Sequence, residues 1–223
     1  MKDILTGKTE IHLTPGLGGF LFEKNTATAL KRLSDRAQLK GFDLKIVSSF
    51  RAYETQAKIW QAKATGQRDL LDSFGHKLDF TSLNQEQIVE AILRWSAFPG
   101  TSRHHWGTDL DVYDGRAVDE NYQVQLTPKE VCEVFHEFYG WLDSLIAADD
   151  CEGFFLPYNT DRGGVAPEAW HLSYRPIAEK NLELYSEDFF MNHLNSINDL
   201  PLKDIVKSRG AEIYQRYIIN IAN

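Results

Sequence analysis

The sequence predicts an α+β protein: a mainly antiparallel sheet flanked by helices and closed by a helical C-terminus. Apolar residues recur at helical spacing in several separate segments. Short stretches between them alternate apolar with polar residues, as half-buried strands do. These segments lack the regular strand–helix–strand rhythm that a parallel sheet demands. The 223 residues suffice for one domain with a real core. We read a single domain over residues 1–223, with a motif-bearing core at 42–175 and a helical extension at 176–223.

The elements follow in order. From Asn25 to Lys40, Ala29, Leu30, Leu33 and Ala37 recur at helical spacing. In "GFDLKIVSSF", Phe42, Leu44 and Ile46 alternate against polar neighbours and predict a strand. Tyr53, Gln56, Ala57 and Trp60 then line one face of a helix. The polar stretch from Gly66 to Ser82 reads as a long surface loop. Ile88, Ala91, Ile92 and Trp95 mark another helix, which Pro99-Gly100 stops.

Beyond Gly107, "TDLDVYD" places Leu110 and Val112 on one side of a strand and Asp109, Asp111 and Tyr113 on the other. Thr127, Pro128 and Glu130 form a helix start of the capping-box kind. The stripe Val131, Val134, Phe135, Phe138, Leu142 and Leu145 predicts one continuous core helix behind it. An apolar run at Phe154 to Leu156 leads to a glycine-rich loop. "EAWHLSY" then reads as a strand with Ala169, His171 and Ser173 on one face. From Pro176 the chain reads as two or three helical pieces, broken near Ser186 and Pro201.

A net charge of −8 and a pI near 5.4 argue against a nucleic-acid backbone as the main partner. No stretch approaches the roughly 20 apolar residues of a membrane span. The opening "MKDILTGKTEIHLTPG" lacks the pattern of a secretory signal. The expectation is a cytoplasmic protein if Met1 is the natural start, and a periplasmic one if a leader has been removed. Cys132 and Cys151 are too few for a disulfide framework and read as free thiols.

Chemistry concentrates in "SRHHWGTDLDVYD", Ser102 to Asp114. Two histidines, three aspartates and an arginine are costly to bury without partners. His104 in the glycine-containing loop and Asp111 on the polar face of the strand make a normal zinc pair. A catalytic zinc usually has three protein ligands and one open position. His171 in "PEAWH" is a candidate third ligand. Glu168, three residues earlier, falls near the open position, where a carboxylate can take a proton from an acidified water. His105 is expected to face the other way, and His12, His76, His136 and His193 to be surface or helix residues.

The spacing Ser102, His104, Gly107, Asp109, Asp111, followed by Glu168, Trp170 and His171, resembles the VanY and VanX group of zinc D-Ala-D-Ala carboxypeptidases and dipeptidases. That group shares its zinc core with lysostaphin-type peptidases and the hedgehog signalling domain. "SSFRAYETQ", Ser48 to Gln56, is similar to the group's S-G-Y-R-S-x-x-x-Q stretch. The resemblance implies that His104, Asp111 and His171 bind one Zn2+ and that Glu168 is the general base. It implies that Arg51 polarises the scissile carbonyl and stabilises the oxyanion. Gln56 would help hold the carboxy end of the substrate, Ser102 would orient the site, and Trp170 would form a wall beside it.

Two positions depart from the pattern. Asp109 stands where the group carries a small apolar residue, so it is expected to reach substrate or to pair with Arg51 or Arg103. Ala169 stands where many relatives have proline. The function implied is a zinc metallopeptidase that removes a terminal D-amino acid from peptidoglycan-type peptides. A peptidoglycan endopeptidase or a D-Ala-D-Ala dipeptidase is the alternative. Non-haem iron oxygenases also use two histidines and one carboxylate, but their closely spaced His-x-Asp does not match the gap from His104 to Asp111. A non-enzymatic zinc-binding module would have no need of Glu168 and Arg51.

Overall fold

The computed structural model describes residues 1–222. The chain opens with a short helix, α1 (Lys2–Leu5), and a two-stranded ribbon of β1 (Leu13–Pro15) and β2 (Leu21–Glu23). Helix α2 (Lys24–Leu39) starts where the Glu23 carboxylate accepts from the amides of Asn25 and Thr26. Strand β3 (Leu44–Ser48), helix α3 (Tyr53–Ala64) and helix α4 (Gln85–Trp95) follow, separated as expected by an irregular segment after Gly66. Strand β4 (Asp109–Asp114) is the next sheet element.

The stripe after Thr127 forms two helices, α5 (Pro128–Glu133) and α6 (His136–Ala147), instead of the single one expected. The capping box at Thr127 and Glu130 is present. The helix breaks because the amides of Val134 and Phe135 both bond to the Glu130 carbonyl, at 2.9 Å each. That turn brings the Phe135 ring against Tyr139 and Tyr113. Strands β5 (Phe154–Phe155) and β6 (His171–Tyr174) complete the sheet, and β6 is shorter than "EAWHLSY" suggested. Among the described residues the C-terminal region contains four α-helices instead of two or three pieces, α7 (Arg175–Leu184), α8 (Glu187–Ser196), α9 (Lys203–Ser208) and α10 (Gly210–Ile213), and α10 runs on into a π-helical turn, Tyr214–Ile218. Ser186 caps α8, and the additional break falls at Arg209, which pairs with Glu90 and Glu212.

The main sheet has the order β3-β4-β6-β5 and every pairing is antiparallel. Two apolar cores flank the site. One joins the sheet to α2 and α6 through Leu110, Val112, Leu172, Leu30, Leu33 and Phe138. The other joins α3 and α4 to the C-terminal helices through Trp60, Ile92, Phe98, Tyr185, Phe190 and Leu194. Burying a side chain of this size contributes about 1.5–3 kcal/mol, which is why these stripes fix helix orientation. His193, expected to be a surface or helix residue, lies on α8 and is fully buried there, with Nε2 2.8 Å from the Pro99 carbonyl. Gly100 makes room for it. A Cβ at that position would come within 2.0 Å of the His193 ring, and the local φ is +88°.

Candidate metal centre

Strand register gathers the polar residues. Asp111 on β4 stands opposite His171 on β6 and opposite Ser48 on β3, while Asp109 stands opposite Ser173. Directly opposed side chains share a sheet face. Asp109, Asp111, His171 and Ser173 therefore form one polar block, and Leu110 and Leu172 enter the core together on the other side.

His104 comes from a single 3₁₀ turn, Arg103–Trp106, that ends at Gly107 in the left-handed region (φ 70°). Its Nδ1 lies 2.9 Å from the Ser49 carbonyl, an acceptor only, so Nδ1 carries the hydrogen and Nε2 keeps its lone pair. Nε2 faces Asp111 Oδ2 at 3.4 Å. The Arg51 amide bonds back to the His104 carbonyl at 3.1 Å, which fastens the end of β3 to this turn.

His171 has the opposite ring arrangement. Its Nε2 lies 3.0 Å from Asp109 Oδ1, and its Nδ1 faces Asp111 Oδ1 and Glu168 Oε2 at 3.3 Å each. Burial alone would lower its pKa, but the three carboxylates outweigh that and hold it well above the usual histidine range. His104 behaves in the other sense, because burial pushes it down to about 4. A neutral imidazole at His104 and a second imidazole facing two carboxylates at Nδ1 together invite a cation.

The chemistry of the donor set fits a zinc ion. Ligand atoms of His104, Asp111 and His171 all lie within 4.8 Å of one another. Bonds of about 2.0–2.1 Å at tetrahedral angles put neighbouring ligand atoms about 3.3 Å apart. Asp111 reaches His104 Nε2 through Oδ2 at 3.4 Å and His171 Nδ1 through Oδ1 at 3.3 Å, separations of that size from its two oxygens. Both non-coordinating ring nitrogens already have acceptors, which fixes the rings.

Glu168 lies in the turn before β6, not at the start of the strand as expected. Its amide donates to the Tyr158 carbonyl at 2.9 Å, and its own carbonyl accepts from the His171 amide. Burial is the largest influence on its carboxyl and raises the pKa above the usual value, against the pull of His171. Arg51 reaches the same cavity, with Nη2 donating to Ser48 Oγ and Nη1 to Gln56 Oε1, each at 2.9 Å.

The cavity measures about 590 Å³ and its lining includes Arg51, Ser102, His104, Asp111, Glu168, Trp170 and His171. Two residues expected to meet substrate do not line it. Gln56 is fully buried, its amide donating to Ser96 Oγ and the Ala97 carbonyl and its oxygen accepting from Arg51. It positions Arg51 instead of making the contact with the carboxy end of the substrate that was expected of it. Asp109 is also fully buried, bonded to Arg103, Thr108, Ser173 and His171, and leaves no oxygen for a substrate. Of the two partners expected for it, the structure selects Arg103.

His105 was expected only to face the other way from His104. Its Nδ1 donates to the Arg51 carbonyl at 2.6 Å and its Nε2 accepts from the Gly100 amide at 3.1 Å. It thereby holds the Arg51 backbone from the side opposite His104. Adjacency to His104 was the only signal available for it.

Comparison with known proteins agrees with this geometry. The family described as VanY, D-alanyl-D-alanine carboxypeptidase, matches residues 20–177. Two Haemophilus influenzae proteins, both described as uncharacterized, are similar in sequence. One is 37% identical over 99 residues (43% of this chain, 68% of the relative), and the other 30% identical over 122 residues (53% and 90%). Among solved structures, VanYB in complex with D-alanine-D-alanine shares the fold with a TM-score of 0.54 at 22% identity, over 86% of this chain and 92% of that one. The vancomycin resistance D,D-pentapeptidase VanY from a VanB-type cassette, in complex with Zn(II), does so with a TM-score of 0.52 at 24% identity, over 78% and 83%. The family match runs from β2 to the start of α7 and takes in every residue of the polar cluster, and on it the chain belongs to the VanY family of D-alanyl-D-alanine carboxypeptidases.

Proposed function

We propose that this peptidase removes the terminal D-amino acid from peptidoglycan-type peptides, with one zinc ion held by His104 Nε2, an Asp111 oxygen and His171 Nδ1. The observation that carries the reading is the convergence of those three ligand atoms, with Glu168 Oε2 3.3 Å from the third. Zinc bound there would supply Lewis acidity, acidifying a water and polarising a carbonyl.

The chain's own residues do the rest. Glu168 removes a proton from the attacking water as its oxygen bonds to the scissile carbonyl carbon. The buried surroundings that raise its pKa make it a better base than an exposed glutamate. Arg51 is braced by Ser48 and Gln56 before substrate arrives, so its charge stabilises the negative carbonyl oxygen without reorganising. Glu168 then delivers its proton to the amide nitrogen as the carbon–nitrogen bond breaks, releasing the terminal residue as a free amine. Ser102 and Trp170 line the cavity beside this chemistry.

Incubation of the zinc-loaded protein with peptides ending in D-Ala-D-Ala, and with tetrapeptides ending in an L,D bond, tests the reading. Release of the terminal D-alanine from at least one series is expected. No product from either contradicts it.

A further inference from the structure

This acidic chain places unpaired positive charge in its active-site cavity. Lys63, on the last turn of α3, and Arg68, in the loop beyond it, both line the cavity. Among the described residues neither side chain forms an ion pair or a hydrogen bond. The one acid beside them in the lining, Asp69, is held by Lys77 at 2.8 Å. Asp111 and Glu168 face His171, and the Arg51 guanidinium is braced by Ser48 and Gln56.

Lys63 is half-buried and Arg68 exposed, and without side-chain partners the two positive charges repel one another at the cavity wall. Burial, and then repulsion from Arg68, lowers the Lys63 ammonium to about 8. An incoming anion would relieve both effects.

We propose that Lys63 and Arg68 form an anion subsite that takes a carboxylate of the peptide substrate. The proposal rests on the carboxypeptidase reading above. Two carboxylates could supply the charge: the terminal one, which every carboxypeptidase substrate carries, or an acidic side chain further along the peptide. An ammonium and a guanidinium together suit a carboxylate, because charge-assisted bonds to each oxygen are stronger than neutral ones.

The test is equilibrium binding by calorimetry to zinc-loaded Glu168→Gln protein, where turnover does not interfere. The probes are acetyl-Ala-D-Ala-D-Ala, its C-terminal carboxamide, and the same two peptides with Glu in place of the first Ala. In the otherwise unchanged background, the acid or the Glu peptide should bind about tenfold tighter than its neutral counterpart. Lys63→Gln and Arg68→Gln should each shrink that preference, their combination should abolish it, and Lys63→Arg should keep most of it. A preference tied to the terminus identifies the terminal carboxylate, and one tied to Glu identifies the side chain. Arg68 is exposed, so Arg68→Gln keeps the test decisive should Lys63→Gln fail to fold. A double variant that retains both preferences, or no measurable binding of any probe, overturns the subsite. Turnover by the wild-type protein is scored separately: binding without cleavage removes the carboxypeptidase reading and leaves the subsite standing.

Discussion

Asp109 Oδ1 lies 3.0 Å from His171 Nε2, and both residues are buried. The contact gives the His171 ring a carboxylate partner behind it, which fixes the tautomer and strengthens Nδ1 as a donor. Arg103, Thr108 and Ser173 in turn hold the aspartate, at 2.8, 2.6 and 3.0 Å. Arg103 also lies over the Trp106 ring, which ties the Asp109 network to the turn that carries His104.

Asp109→Asn should weaken zinc binding by about 10- to 100-fold while leaving the three ligands in place. Competition against a chelator of known affinity measures it, and an unchanged dissociation constant would show that the carboxylate does not tune His171. Asp109→Ala should be worse for folding than Asp109→Asn, because it leaves Arg103 buried without its ion partner. Breaking such a pair costs about 3–5 kcal/mol.

Glu168→Gln should lower turnover by about 10²- to 10⁴-fold, the range for loss of a positioned proton carrier. Zinc content and melting temperature should stay near those of the wild type. Turnover within a few-fold of wild type would assign the proton transfers to another group.

Arg51→Lys should lower kcat by about 10²- to 10³-fold, since an ammonium cannot hold Ser48, Gln56 and a developing oxyanion together. Gln56→Ala should move kcat in the same direction by a smaller factor, through the loss of its brace on Arg51. Steady-state kinetics on the two variants checks this order, and a Gln56→Ala defect confined to KM would restore a direct contact with substrate.

Acid should destabilise the metal-free protein. His193 is buried as a neutral ring, burial being the largest cause of its lowered pKa. The unfolded chain binds its proton near pH 6.5 while the native chain does not. Unfolded protein therefore holds more protons in that range, so stability is fully present above about pH 6.5 and is lost as pH falls towards the lowered native value. Melting curves from pH 8 to pH 5 on the wild type and His193→Gln test the sign. A pH slope identical in the two proteins would remove His193 as a contributor.

The parts of this site that were legible in the sequence depend on local pattern. Alternation along "TDLDVYD" placed Leu110 and Val112 in the core, and Asp109 and Asp111 on the other face. The one-residue register of a strand leaves little freedom there. What was not legible depends on partners far away in the chain. Gln56 falls on the apolar stripe of α3, and only the folded chain reveals Ser96 and Ala97 waiting for its amide. His193 lacked a visible partner because its acceptor, Pro99, is 94 residues away along the chain. The break of the α5–α6 stripe also escaped, since its apolar spacing suits one helix as well as two.

The central claim is that three side chains hold a single catalytic zinc. Metal content per chain, measured by mass spectrometry on wild-type protein and on His171→Ala after equilibration with limiting zinc, tests it most directly. One zinc per wild-type chain and nearly none on the variant is the predicted result. Equal zinc on both, or none on either, would contradict it.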